Sequence, residues 1–129
     1  MKSKISLLLM CATFAGLSNA YTTQGVTDDK LGVSAPVGEY QVGANKLEIE
    51  YSYLLLGDRT LKINYNVEGT SCQGTQELKG QKGIAVKDKV TVDCDLAQTG
   101  VFNSHAEMCS FDGDIQKTCV TDDGQITVK

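Results

Sequence analysis

The sequence predicts a small all-β domain, an antiparallel sandwich or partly closed barrel that is built from hairpins and stapled by two disulfides. Apolar and polar residues alternate with period two over several segments after residue 45. Turn sequences rich in Gly and Asp separate these segments. Four cysteines remain in a short chain once an export signal is removed, which is typical of a disulfide framework.

Residues 1–20 have the organisation of a signal peptide. Two lysines precede an apolar run over residues 5–17, which is too short to span a membrane. Ser18 and Ala20 supply the small side chains of a cleavage site, and cleavage after Ala20 leaves 109 of the 129 residues. We therefore predict a periplasmic or secreted protein without a membrane span.

The segment 21–37 is polar and lacks a sustained period, so we expect an irregular N-terminal arm there and a single β-rich domain over 38–129. Without the signal, 10 basic and 16 acidic residues give a net charge of −6. Nucleic-acid binders need a cationic face, so we expect no nucleic-acid partner.

The four cysteines of the exported chain predict two disulfides. Sequence alone does not choose among their three pairings. We favour the two pairs of cysteines that are consecutive along the chain, because each would tie neighbouring strands. No Cys-x-x-Cys pair and only one histidine are present, so we expect neither a metal nor a cofactor. The cysteines are Cys72, Cys94, Cys109 and Cys119.

The first predicted hairpin joins two alternating runs on either side of Gly57-Asp58-Arg59. Both apolar sets are odd-numbered, so they lie on one face of the hairpin only if the numbers of directly opposed residues sum to an even value. This requires an odd loop length such as three residues. The apolar sets are Leu47, Ile49, Tyr51, Tyr53 and Leu55 before the loop, and Leu61, Ile63, Tyr65 and Val67 after it.

The remaining segments predict shorter elements of the same kind. A short edge strand is expected around Gln76–Lys79, and a second hairpin is expected to turn at Lys87-Asp88-Lys89. A third hairpin turns at Asp112-Gly113-Asp114, and a separate last strand follows Asp122-Asp123-Gly124.

His105 is the sole histidine, and it lies in a segment that predicts the one short helix. Ser104 and Glu107 have the Ser-x-x-Glu spacing of a capping box, which favours one or two helical turns after Ser104. A general acid or base that uses imidazole would have to be His105, yet no nucleophile motif accompanies it. We therefore predict no catalytic residue.

Acidic residues are concentrated in the last third of the chain, where 93–123 contains seven acids and one lysine. None of the acid pairs has the full spacing of a calcium loop. We take four of these acids as the candidate binding residues: Asp112, Asp114, Asp122 and Asp123.

The leading functional hypothesis is an exported, non-enzymatic binding protein that acts on another, cationic protein as an inhibitor, an immunity factor or a secreted effector. A small secreted hydrolase that uses His105 is the first alternative. A surface-assembly subunit joined by strand addition is the second. We expect a monomer if the leading hypothesis holds.

Overall fold

The computed structural model describes residues 28–129. The predicted signal peptide and residues 21–27 of the predicted arm lie outside the described residues. Within 28–129 the chain forms strands and connecting loops without a helix, and no helix there could span a membrane. The strands are β1 (Lys30–Val33), β2 (Gly38–Tyr40), β3 (Lys46–Leu54), β4 (Arg59–Val67), β5 (Gln73–Gly80), β6 (Val86–Asp93), β7 (Gly100–Asp112) and β8 (Ile115–Val128).

These strands form two sheets that pack as a sandwich or half-barrel. The smaller sheet has the order β1-β3-β6, and the larger has the order β2-β8-β7-β4-β5. All neighbours are antiparallel except β2, which runs parallel to β8. The predicted all-β class is confirmed.

The core lies between the sheets and contains the alternating residues of β3 and β4 that the sequence pattern placed on one face, together with residues that the pattern did not identify, such as Leu96 and Met108. Apolar side chains of β3 and β4 are fully buried there, together with residues of β6, β7 and β8. Burial of such side chains is the main stabilising contribution to folding. The largest fully buried residues include Leu47, Ile49, Leu55, Leu61, Ile63, Leu96, Met108 and Ile126.

Both disulfides have the favoured pairing. Cys109 and Cys119 lie directly opposite each other on β7 and β8, with their Cα atoms 4.1 Å apart. Cys72 precedes β5 and Cys94 follows β6, so this bridge links the two sheets rather than neighbouring strands of one sheet. The pairing is confirmed, whereas the expected reason for the first bridge is wrong. Two disulfides indicate an oxidising, extracellular type of environment.

The predicted first hairpin is wrong. Strand β3 pairs with β1 and β6, whereas β4 pairs with β5 and β7, so the segment around Gly57-Asp58 carries the chain from one sheet to the other. Alternation identifies which face of a strand is buried, but it does not identify the neighbouring strand. Both runs bury their apolar faces in the same core from opposite sides.

The other turn predictions have mixed outcomes. The edge strand is confirmed as β5, and the hairpin at Asp112-Gly113-Asp114 is confirmed as the β7–β8 turn. The second hairpin is wrong because β6 continues through Lys87-Asp88-Lys89. The separate last strand is also wrong, because 122–124 lies inside β8. Edge strands such as β6 tolerate charged residues because their outer side is solvated.

The predicted helix after Ser104 is wrong, because Ser104 to Glu107 lie within β7. The Ser104 hydroxyl donates a hydrogen bond to the Pro36 carbonyl oxygen at 2.5 Å instead of capping a helix. The segment 21–37 is not irregular throughout either, since it contains β1, which pairs with β3.

Asp29, just before β1 of the smaller sheet, ties the N-terminal segment to the larger sheet and to the connection between β3 and β4. Its buried carboxylate accepts hydrogen bonds from the Leu56 amide at 3.0 Å, the Ser110 hydroxyl at 2.6 Å and Arg59 Nε at 3.0 Å. Burial alone would raise the pKa of Asp29, but these hydrogen bonds outweigh it and hold the pKa below its ordinary value. The carboxylate is therefore charged at neutral pH.

Candidate functional site

The outer face of the larger sheet carries a row of polar side chains with His105 near its centre. Alternate residues of β7 point to opposite sides of the sheet, so Ala106 and Met108 are buried while His105 and Glu107 face outward. The register places His105 between Asn66 on β4 and Asp123 on β8.

His105 lies between two carboxylates. Its Nδ1 is 2.5 Å from Asp123 Oδ1, and its Nε2 is 2.5 Å from Glu68 Oε2. Glu68 follows β4 and is held in place because its amide donates to the Asn103 carbonyl oxygen at 2.8 Å. The β4–β5 connection and β8 are thus joined through one imidazole ring.

These two contacts determine the protonation behaviour of His105. Hydrogen bonds to Asp123 and then Glu68 raise the pKa of the ring above its ordinary value, and the small loss of hydration works in the opposite direction. A protonated ring donates from both nitrogens, and each donation goes to a carboxylate. In this geometry neither ring nitrogen is available to take a proton from a nucleophile, so the arrangement gives no support to the hydrolase hypothesis.

Glu107 extends the site along the outer face. Its Oε1 accepts a hydrogen bond from Asn64 Nδ2 at 3.3 Å, so its predicted role in a capping box is wrong. The Thr75 hydroxyl in turn donates to Asn64 Oδ1 at 2.6 Å, which continues the network to the edge strand β5. A surface pocket of about 220 Å³ lies over these strands. It is lined by Asn64, Tyr65, Asn66, His105, Ala106, Glu107, Thr121 and Asp123.

The four predicted acidic residues do not form one patch. Asp112 and Asp114 are exposed at the tip of the β7–β8 hairpin, roughly 25 Å along the strand from Asp123 at the rise of an extended chain. Asp123 belongs to the His105 site. Asp122 is half-buried and accepts a hydrogen bond from the Ala35 amide at 2.8 Å, so it does not lie beside the other three on the outer surface, and its part in binding stays a prediction.

Sequence reasoning missed Glu68 and Asn64 as neighbours of this site. Both belong to the run after Gly57, whose true partner on one side is β7 rather than β3. The alternating pattern did indicate that both side chains point outward, but only the pairing of β4 with β7 places them beside His105 and Glu107.

One group within residues 28–129 has the spacing of potential metal ligands, namely Glu107 with Cys109 and Cys119. Both sulfur atoms are joined in a disulfide, and a metal would need them as thiolates. This group therefore does not make a metal centre in the oxidised protein.

No protein-family model matches the chain, and no curated protein matches it in sequence. Among solved structures, the chain is similar to the ASH / PapD-like domain of human CEP192 (PapD-like domain 7). The two are 9% identical, with a TM-score of 0.42 over 92% of this chain and 98% of that domain. A similarity at this level supports no inference about function.

Proposed function

We propose that the protein is an exported binding module that recognises a cationic protein through the outer face of its larger sheet. We call this surface the His105 face and define it by Asn64, Glu68, His105, Glu107 and Asp123. The observation that carries the proposal is the contact of two carboxylates with one imidazole, with the Glu107 carboxylate on the same face beside a surface pocket.

The charge of the His105 face favours a cationic partner. Three carboxylates leave a net charge of −2 when His105 is protonated and −3 when it is neutral. The carboxylates of Glu68 and Asp123 are more than half exposed, so a lysine or arginine can approach them without extensive loss of hydration. The negative electrostatic field of such a surface chiefly accelerates association, and it favours partners of positive charge.

The setting of this face is suited to binding. It lies on paired strands of a disulfide-stapled sandwich, so its side chains are already held in position before a partner arrives. Cleavage after Ala20, and the choice among inhibitor, immunity factor and secreted effector, belong to this proposal. The identity of the partner separates these three roles, because an immunity factor binds a toxin whereas an inhibitor binds an enzyme of another origin.

Affinity capture tests the proposal, with the oxidised protein from residue 21 onward as bait. The captured protein is then titrated against two charge-matched double variants. We expect Glu107→Gln with Asp123→Asn to weaken binding roughly 5- to 30-fold, by analogy with paired charges that are worth about 0.5–1 kcal/mol each. The loss should shrink as salt rises.

The matched control is Asp112→Asn with Asp114→Asn at the hairpin tip, which removes the same charge from an exposed position. This variant should bind like the original protein. Equal losses in the two variants would show that overall charge rather than the His105 face determines binding. Full affinity in the first variant would contradict the proposal.

A further inference from the structure

The smaller sheet ends in an open edge strand, β6, which differs from the other edge strands of the sandwich in its combination of length and charge distribution. The edge strands β1 and β2 have four and three residues, whereas β5 and β6 have eight each. In β6 the outward residues carry opposite charges at the two ends of the strand, with Lys87 and Lys89 towards one end and Asp93 at the other. A long edge strand presents unpaired backbone groups to any chain that can align with it.

The hydrogen-bond ladder shows which backbone groups of β6 face this edge. The Cys94 amide donates to the Asn45 carbonyl oxygen at 3.0 Å, immediately beyond the Lys46–Asp93 pair. Hydrogen-bonded pairs recur at every second residue of an antiparallel ladder, so the even-numbered residues of β6 bond to β3. The odd-numbered residues Lys87, Lys89, Thr91 and Asp93 therefore direct their N–H and C=O groups to the open edge, where the Lys89 amide donates to its neighbour Asp88 Oδ1 at 2.8 Å.

We propose that β6 is a self-association edge, which pairs antiparallel with β6 of a second copy of this chain about a two-fold axis at Val90. Lys89 then lies opposite Thr91 of the second copy, and Lys87 lies opposite its Asp93. The odd residues supply the hydrogen-bonded pairs, and the two smaller sheets join into one continuous sheet of six strands. This association revises the expectation of a monomer.

Charge and strand overlap together select this register. Lys87 makes no ion pair within residues 28–129, and the side chain of Asp93 is 86% exposed although it already contacts Lys46. The two-fold register therefore forms two Lys87–Asp93 pairs between opposed strands. Opposite charges at directly facing positions stabilise a sheet, and like charges destabilise it.

Neighbouring registers are less favourable. A shift of the axis to Lys89 places this lysine opposite its own copy. A shift to Thr91 places Lys89 opposite Asp93, but it shortens the overlap to the residues from Lys89 to Asp93, and Lys89 already pairs with Glu48 at 3.3 Å. Lysines on an edge commonly prevent unwanted pairing, but here a second copy presents an aspartate to one of them. The lysines of β6 would still disfavour pairing with strands that lack a complementary negative charge.

Sedimentation of the oxidised chain over a concentration series that reaches the millimolar range tests the proposal. We expect a reversible dimer that Lys87→Glu or Asp93→Lys weakens roughly tenfold, since each places two like-charged pairs in the interface. An equimolar mixture of the two variants should recover the original affinity. In the mixed dimer the two substituted positions face each other with opposite charges, and the unchanged Lys87 faces the unchanged Asp93. Failure of the mixture to recover would overturn the register.

Thr91→Pro provides a second, independent variant. It removes an N–H that faces the open edge, where proline is tolerated, and leaves the bonds between β6 and β3 intact. We expect a folded monomer. Lys79→Glu on the other long edge, β5, is the control and should dimerise normally. A monomeric original protein at all concentrations, or full dimerisation of folded Thr91→Pro, would overturn the proposal. The His105 face lies on the other sheet, so partner capture reports on it separately.

Discussion

Arg59 Nε lies 3.0 Å from Asp29 Oδ2, and these side chains are only 10% and 1% exposed. The pair joins the segment before β1 to the first residue of β4, which belongs to the other sheet. Its charges are compensated locally, because Asp29 also accepts from the Leu56 amide and the Ser110 hydroxyl. A charge buried in this way is tolerated only while its partners remain in place.

The first prediction is that Asp29→Asn lowers the free energy of unfolding by about 3 kcal/mol, since it leaves the Arg59 charge buried without its counter-ion. Chemical denaturation followed by circular dichroism measures this change. Asp28→Asn is the matched control, because Asp28 is the neighbouring acid and is exposed. Equal stability of the two variants would show that the buried pair contributes nothing.

A second prediction concerns acid pH. The pKa of Asp29 is below its ordinary value of 3.8 in the folded chain, so its contribution to stability is present above that value and is lost as pH falls through the folded pKa. The stability difference between the original protein and Asp29→Asn should therefore stay constant from neutral pH to about pH 5 and shrink below about pH 4. Urea midpoints measured across this range test it. A difference that persists at the lowest pH would contradict the assignment.

The third prediction separates the two disulfides. In the chain-entropy model, the Cys72–Cys94 bridge closes a separation of 22 residues and contributes about 3.4 kcal/mol, whereas the Cys109–Cys119 bridge closes 10 and contributes about 2.7 kcal/mol. Replacing Cys72 and Cys94 by alanine should cost more than replacing the other two cysteines. The first pair also links the two sheets and is buried. Thermal unfolding under identical oxidising conditions compares the two double variants, and the reverse order would refute the prediction.

The buried faces of β3 and β4 were predictable, but the pairing of the strands was not. Leu47 and Ile49 on β3 and Leu61 and Ile63 on β4 are all fully buried, as the alternation indicated. In a sandwich, however, consecutive strands in one sheet and consecutive strands in opposite sheets show the same alternation, because both face one core. Long-range pairing leaves no period-two signal in the sequence.

Glycine and aspartate in the middle of β8 explain why its continuity was not predicted. A Cβ on Gly124 would lie 2.7 Å from a methyl group of Val37, so this glycine allows a close approach rather than a turn. Asp122 and Asp123 are each satisfied by a partner far away in sequence, namely the Ala35 amide and His105. These tertiary contacts stabilise an extended strand at Asp122, Asp123 and Gly124, although the local sequence favours a turn.

The last prediction tests the two carboxylate contacts of His105. Because they raise the pKa of the ring above 6.5, removal of either should move it back towards that value. Asp123→Asn should produce the larger shift, since Asp123 makes the stronger contribution, and Glu68→Gln the smaller. Glu107→Gln is the control on the same face, and it should leave the titration nearly unchanged because Glu107 pairs with Asn64 instead.

Titration of the His105 ring protons by nuclear magnetic resonance measures all three variants on the one histidine of the chain. The sign of the linked stability change follows from the raised pKa: the contribution is fully present below the unfolded value near 6.5 and is lost as pH rises through the folded value. His105→Ala should therefore differ from the original protein mainly on the acid side, while the fold is retained, since the ring lies outside the core. A titration that is unmoved by Asp123→Asn would show that the ring does not hold this contact in solution, and the His105 face would then lack the arrangement on which its proposed role rests.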